Sequence, residues 1–436
     1  MASIGIIGGG TTGISAAYYA AAAGHDVFLV DQFGLHNSYA SSAGSSRFFR
    51  IMYSDPHETA LVEASYALWR EIEKATGREI LVPAPLIFYG YKDGGRTVEG
   101  DIPSTKHTMQ QLGVPFEELN SPAEIERAFP VFNGASMPDD YVGLVQRNSA
   151  TIDVSQSFAA FTELCERTGR VEILTPAVVF DIDQAANNGF TLTYRMADGP
   201  THQRQVDNLI IAPGAWVNSI LGHFGWQASL SIWQMTVGYY RNSGVHPLWY
   251  EFGNKGSDTD NLWYGFPELA LPGHVKCSAD FTDTKFSNPW DITWRADPTL
   301  LNNLTNFMHT RFNDIEAPPL LGTNQVQSCL YSMSPDGQMV LGRLPQRDGY
   351  LNPQNLSMFI LAAGRGFKFT PLLGRMLVQM CLGGQDLYNA DIWSPLRNGI
   401  LSPTPMPTAQ AWRDCRPEEE MNAHWESLHS TERSVV

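Results

Sequence analysis

No two of the five cysteines, Cys165, Cys277, Cys329, Cys381 and Cys415, form a CxxC pair, and their number is odd. That pattern argues against a disulfide framework and a structural zinc site, and it suits a reducing compartment. Basic residues are also scarce, with 29 Lys and Arg against 45 Asp and Glu and a formal charge of −16. Such a chain carries no field to attract phosphate backbones or an anionic membrane surface. No uncharged apolar stretch approaches the ~18 residues of a membrane span. The N-terminus lacks a basic region with a cleavage site, and the final Ser-Val-Val is not a clear peroxisomal signal. The expectation is a cytoplasmic protein without nucleic-acid, membrane or metal partners. What is plentiful is core material: 436 residues, 43% hydrophobic, are enough for two or three domains.

The opening "SIGIIGGGTTGISAAYYAAAAGHDVFLVDQ" carries the clearest local signal. An apolar run, Ile4 to Ile7, leads into Gly8, Gly10 and Gly13 in GxGxxG spacing, then an Ala-rich helix, then a strand over Val27 to Val30 that ends in Asp31. In such a βαβ unit the first glycine makes the tight turn and the second lets the backbone approach a pyrophosphate. The third lets helix pack on strand, and the acid accepts hydrogen bonds from ribose hydroxyls. A dinucleotide site follows. The motif by itself leaves FAD and NAD open.

Downstream, "HNSYASSAGSSRFFRIMY" (36–53) holds many small residues with Arg47 and Arg50, which in isolation would pass for a solvated loop. "LIIAPGAWVNSIL" (209–221), "WYGFPELALPGHVKCSAD" (263–280), "CLYSMSPDGQMVLGRLP" from Cys329 and "LAAGRGFKFTPLLG" (361–374) follow in order. Together these segments resemble the monomeric sarcosine oxidase and N-methyltryptophan oxidase family of FAD-dependent amine oxidases, in the D-amino acid oxidase-like superfamily. The resemblance runs from about residue 3 to 395, with Arg47, Arg50 and Tyr53 in register with the family signature.

The resemblance implies an α/β fold in which a Rossmann-like FAD-binding domain (1–80, 145–225 and 322–400) is interleaved with an antiparallel-sheet substrate domain (81–144 and 226–321). A C-terminal extension (401–436) would follow. It implies FAD held by Gly8, Gly10, Gly13, Asp31, Ser42, Arg47, Val179, Gly214, Trp216, Gly364, Gly366 and Lys368. The FAD would be joined covalently through its 8α position to the sulfur of Cys329. A thiol in an apolar strand is otherwise a small buried hydrophobe, as expected for Cys165, Cys277 and Cys381. It further implies a monomer that takes hydride from the Cα of a secondary, N-methyl or cyclic amino acid to flavin N5. The products would be an imine and, with O2, hydrogen peroxide. Arg50 and Lys368 would clamp the substrate carboxylate. Lys276 would assist O2 reduction by its charge, and Tyr264 and Asp280 would line the site. For Lys276 a snorkelling strand lysine is the plain alternative.

The chain departs from the family pattern at Ala43 and Asp280, where histidines are expected, and at Arg365 within the Gly-His-Gly turn. Asp280 could hold the substrate nitrogen, or pair with Arg365 or another base. Trp233, Tyr239, Tyr240, Trp249, Tyr250, Trp263 and Trp290 suggest a substrate bulkier than sarcosine, unless they are core. A dehydrogenase passing electrons to another acceptor and a noncatalytic dinucleotide-binding protein are the rival readings. Nothing in the latter requires Arg50, Lys276, Lys368 and Cys329 together.

Overall fold

A computed structural model describes residues 1–405 apart from 98, 197–198, 243, 254–260, 317–325, 361–364, 385–387 and 389. Gly364 and residues 406–436 of the C-terminal extension, including Cys415, lie outside the described residues.

The βαβ unit forms as its sequence requires. Strand Ser3–Ile7 pairs in parallel with Asp26–Val30, and helix Thr11–Ala22 lies between them in the chain. A six-stranded sheet grows around it in the order 340–342, 356–360, 208–211, 3–7, 26–30, 171–174, with only the edge strand Val340–Gly342 antiparallel. Its strands are short apolar runs such as "NLII" and "DVFLV", as expected where helices cover a parallel sheet. Helix Thr11–Ala22 packs against Val154–Thr168 and Thr370–Cys381. Two long helices, Pro56–Thr76 and Val154–Thr168, stop at Gly77 and Gly169, both in the left-handed conformation.

The second layer is a nine-stranded sheet. Its path runs 285–286, 231–241, 274–279, 262–267, 248–252, 86–91, 141–146, 117–119, and Val326–Met333 pairs with Ser231–Arg241. Register assigns its two faces, because side chains alternate along every strand. The pairs Met235↔Cys329, Tyr239↔Lys276, Phe266↔Lys276, Tyr264↔Ser278, Tyr250↔Tyr264 and Tyr250↔Phe88 put those side chains on one face. Phe88, Tyr250, Tyr264 and Phe266 pack there into the same core as Phe48, Phe49 and Tyr53. The opposite face carries Tyr89, Tyr240, Trp249 and Cys277, which pack with Leu304 and Met308 of helix Pro298–Arg311. Hydrophobic burial thus covers both sides of this sheet and turns one row of functional groups inward.

A three-stranded meander (177–184, 190–196, 201–206) and a small sheet of 46–49, 150–153 and 81–83 complete the body. The start of the C-terminal extension is ordered by pairing, since Leu401–Pro403 lies antiparallel to Trp226–Ala228. Among the described residues no helix is long and apolar enough to cross a membrane. No group of three or more His, Cys, Asp and Glu among them is placed to hold a metal ion.

Candidate active site

The glycine cradle is built by close approach. Gly8 has φ +103°, and a Cβ there would stand 2.4 Å from the Ala212 carbonyl oxygen. A Cβ on Gly13 would sit 1.9 Å from the Gly8 oxygen, so helix and turn fit only without side chains. Gly10 precedes the helix without a side-chain cap, and the first-turn residues Thr11, Thr12 and Gly13 are buried. The Thr11 N–H donates to Ser42 Oγ at 3.2 Å. A buried, uncapped helix N-terminus suits the pyrophosphate of a dinucleotide.

Asp31 stands beside this turn, buried, but its carboxylate is already engaged. Oδ2 accepts the Gly9 N–H at 2.7 Å, and Oδ1 accepts those of Phe33 and Gly34 at 2.9 Å. Burial raises its pKa against these three bonds. Its first role is therefore to lock the turn, with spare lone pairs left for a ribose. Val179 is buried at an irregularity in the strand Ala177–Gln184, whose first N–H donates to the Asp31 carbonyl. Gly214 takes φ +58° ahead of Trp216, which is buried against Phe33 and Trp290. Its Nε1 has no hydrogen-bond partner among the described residues.

Two charged groups line the inward face of the large sheet. The first surrounds Cys329. Arg47 donates from Nη1 to the Ser46 carbonyl at 2.7 Å and from Nη2 to the carbonyls of Ser41 and Ala43. Lys276 Nζ donates to the same Ser46 carbonyl at 3.4 Å. Burial and Arg47 push the Lys276 ammonium down to about 8. Burial raises the Cys329 thiol, while Arg47 and Lys276 oppose that rise. Tyr264 and Tyr331 share a hydrogen bond at 2.8 Å, and both interact electrostatically with Asp280 and Cys329.

The second group surrounds Arg50, which is 0% exposed. Its guanidinium carbon lies 4.3, 5.0 and 4.9 Å from the ring centres of Tyr53, Phe88 and Tyr250. Nη2 pairs with Glu99, whereas Nε and Nη1 hold no hydrogen bond among the described residues. Lys368 is fixed through its backbone, because its carbonyl accepts Ser65 Oγ at 2.7 Å and Trp69 Nε1 at 3.0 Å from helix Pro56–Thr76. Its Nζ reaches the Arg365 carbonyl at 3.3 Å. Burial, Arg50 and Arg365 bring its pKa down to about 7. Gly366 begins the short buried turn that carries it. Rings bridge the two groups: Phe48 contacts both Tyr250 and Tyr264.

Several site residues escaped sequence reasoning. Arg365 pairs with Glu58 at 3.0 Å and has Glu99 at 3.8 Å. Glu58 was detectable as an acid on the apolar stripe Glu58, Leu61, Val62, Ser65 of its helix. Tyr331 was also detectable, two residues from Cys329 and so on its face. Glu99 lies in the irregular "DGGRTVEGD" and gave no signal. The aromatic list divides: Tyr239 and Tyr250 face the site, whereas Tyr240, Trp249 and Trp263 belong to the packing on the far side.

A glycine turn at a buried helix N-terminus, with buried cations and a thiol on one face of a second sheet, is the arrangement of a dinucleotide-dependent oxidoreductase. Residues 3–380 match the DAO family, FAD dependent oxidoreductase, and the chain belongs to that family. It is 27% identical over 401 residues to the monomeric sarcosine oxidase of Streptomyces avermitilis, covering 90% of this chain and 96% of that one. To the human peroxisomal sarcosine oxidase it is 25% identical over 385 residues, covering 86% and 91%. A protein of Dictyostelium discoideum named as a bifunctional amine oxidase is 26% identical over 423 residues, but the chain spans only 37% of its length. Among solved structures, NikD, an unusual amino acid oxidase essential for nikkomycin biosynthesis, superposes with a TM-score of 0.78 at 26% identity, covering 91% of this chain and 98% of that one. The cofactor of the family, FAD, fits the cradle and its buried, uncapped helix end.

Proposed function

We propose that this chain is a monomeric FAD-dependent oxidase of a secondary, N-methyl or cyclic amino acid bulkier than sarcosine, yielding an imine and hydrogen peroxide. The FAD would lie with its pyrophosphate on Gly8–Gly13 and its ring along the inward face of the large sheet, joined to Cys329. In the division that this reading implies, 1–80, 145–225 and 322–400 serve the cofactor, and 81–144 and 226–321 serve the substrate. When bound, FAD accepts hydride from the substrate Cα at N5.

The observation that carries the reading is the unfilled bonding capacity of Arg50. A guanidinium fully removed from water, with two nitrogens that have no hydrogen-bond acceptor among the described residues, is costly unless an anion completes it. A substrate carboxylate taken between Arg50 and Lys368 does so, and it orients the Cα–H. Asp280, among Tyr250, Tyr264 and Tyr331, stands where it could receive the charge of the substrate nitrogen. Lys276 supplies a cation where negative charge develops as O2 takes two electrons and two protons to become hydrogen peroxide. The sarcosine and amino acid oxidases that resemble the chain support this chemistry, and Lys276 argues against transfer to a protein acceptor.

The test is peroxide release over a panel of N-methyl, cyclic and aromatic amino acids, with the flavin spectrum as readout. Cys329→Ala should lose its flavin on acid precipitation while the wild type stays yellow. A wild type that releases all of its flavin to acid would remove the covalent assignment. A panel that reduces no flavin would remove the substrate class.

A further inference from the structure

Glu268 is a buried carboxylate to which the reaction above gives no task. It follows the strand Leu262–Pro267 and reaches back to Ser45 and Ser46, at the start of the strand Ser46–Phe49 that bears Arg47. Oε1 accepts Ser45 Oγ at 2.6 Å and the Ala270 N–H at 3.0 Å, and Oε2 accepts Ser46 Oγ at 2.5 Å. Both oxygens are thus held in place. The Ser46 carbonyl is the atom on which Arg47 and Lys276 converge, at 2.7 and 3.4 Å. One residue therefore receives two cations through its carbonyl and an anion through its hydroxyl.

We propose that Glu268 is a positioning residue for the oxygen half of the reaction, anchoring Ser45 and Ser46 and keeping Lys276 protonated. The inference rests on the role given to Lys276 above. Lys276 is enclosed from every side: Arg47 and the Ser46 carbonyl on one strand, Tyr239 on the next, Cys329 beyond it, and the Phe266 ring and Glu268 from the strand alongside. Desolvation and the Arg47 charge both favour the neutral amine, and Glu268 opposes them. Reciprocally, burial raises the Glu268 carboxyl, but Lys276 and the two serine hydroxyls together bring it below the usual range. An amine without its proton has no charge to offer as O2 becomes negative, so loss of Glu268 reaches the reaction through Lys276.

The experiment uses flavin-loaded Glu268→Gln, Lys276→Met and wild type. Reduced enzyme is mixed with O2 from pH 6 to 10, and the absorbance of the oxidised enzyme is titrated over the same range. In the wild type, reoxidation falls as pH rises through about 8. In Glu268→Gln both midpoints move down by a unit or more, so reoxidation well above pH 8 slows about tenfold per unit moved while substrate reduction keeps its rate. Lys276→Met should be slow at every pH and lack the spectral step. If Lys276→Met reoxidises as wild type does, the reading of Lys276 itself fails. If it is slow but Glu268→Gln keeps the wild-type midpoints and only melts earlier, Glu268 is merely structural and the proposal is overturned. Should Glu268→Gln not fold, Glu268→Asp keeps the charge at greater distance and must move both midpoints down by a smaller step. Unmoved midpoints there also overturn the proposal.

Discussion

Glu99→Ala isolates the charge balance around Arg50. The pair is sealed, with side-chain exposures of 0% for Arg50 and 2% for Glu99. Removing one member of a buried pair leaves an uncompensated charge and costs on the order of 3–5 kcal/mol. Contacts with the rings of Tyr53, Phe88 and Tyr250 survive the substitution. Arg365 retains Glu58. The expected loss is therefore toward the lower figure, about 3 kcal/mol. The truncated side chain leaves space beside a bare guanidinium, so acetate should restore what was lost. Ligand at 100 times its dissociation constant contributes about 2.7 kcal/mol, nearly the whole deficit. The assay is the thermal midpoint of the flavin-loaded protein over an acetate series. Acid offers a second readout. Burial alone would raise the Glu99 carboxyl, and Arg50, Arg365 and Lys368 hold it below its ordinary 4.5. Its contribution is present above that value and is lost as pH falls through the lower, folded-state one. Glu99→Ala should lack this acid-sensitive component. A variant that melts with the wild type, or acetate that stabilises both equally, would refute the reasoning.

Two further outcomes follow from buried cations. Simple carboxylate ligands should bind best with Lys368 protonated, so their affinity should fall about tenfold per pH unit above about 7 and lose that dependence in Lys368→Met, measured by flavin absorbance. His246 is buried against Phe312, its two ring nitrogens have no hydrogen-bond partner among the described residues, and burial lowers its pKa to about 4. It therefore folds neutral. Stability should be complete above the ordinary 6.5 and decline by roughly 3 kcal/mol as pH falls toward 4, a decline that His246→Phe should abolish in melts across that range.

The elements that local chemistry controls were legible in the sequence. Gly8 and Gly13 announce the cradle because a Cβ at either would run into backbone, and Gly77 and Gly169 end their helices because they take the left-handed conformation. The ordered resemblance pointed to Arg47, Arg50, Lys276, Cys329 and Lys368, and the fold brings these into two neighbouring groups. The partners of these residues were not legible. Asp31 appeared as a ribose acceptor, yet its nearest hydrogen bonds are to the turn itself. Arg365 stood out only as a departure in its turn, and its partners Glu58 and Glu99 appeared with the fold.

Period and spacing along one strand determine which face a side chain occupies, and the sequence holds that information entire. Which strand lies alongside, and at what register, depends on burying both faces of a nine-stranded sheet whose members are drawn from residue 86 to residue 333. A counter-ion is selected only after that burial has removed water from around the charge. For this reason the cations of the site could be read from the chain, and Glu58 could be noticed on its helix stripe, whereas the pairing of Glu58, Glu99 and Glu268 with those cations emerged only from the tertiary structure.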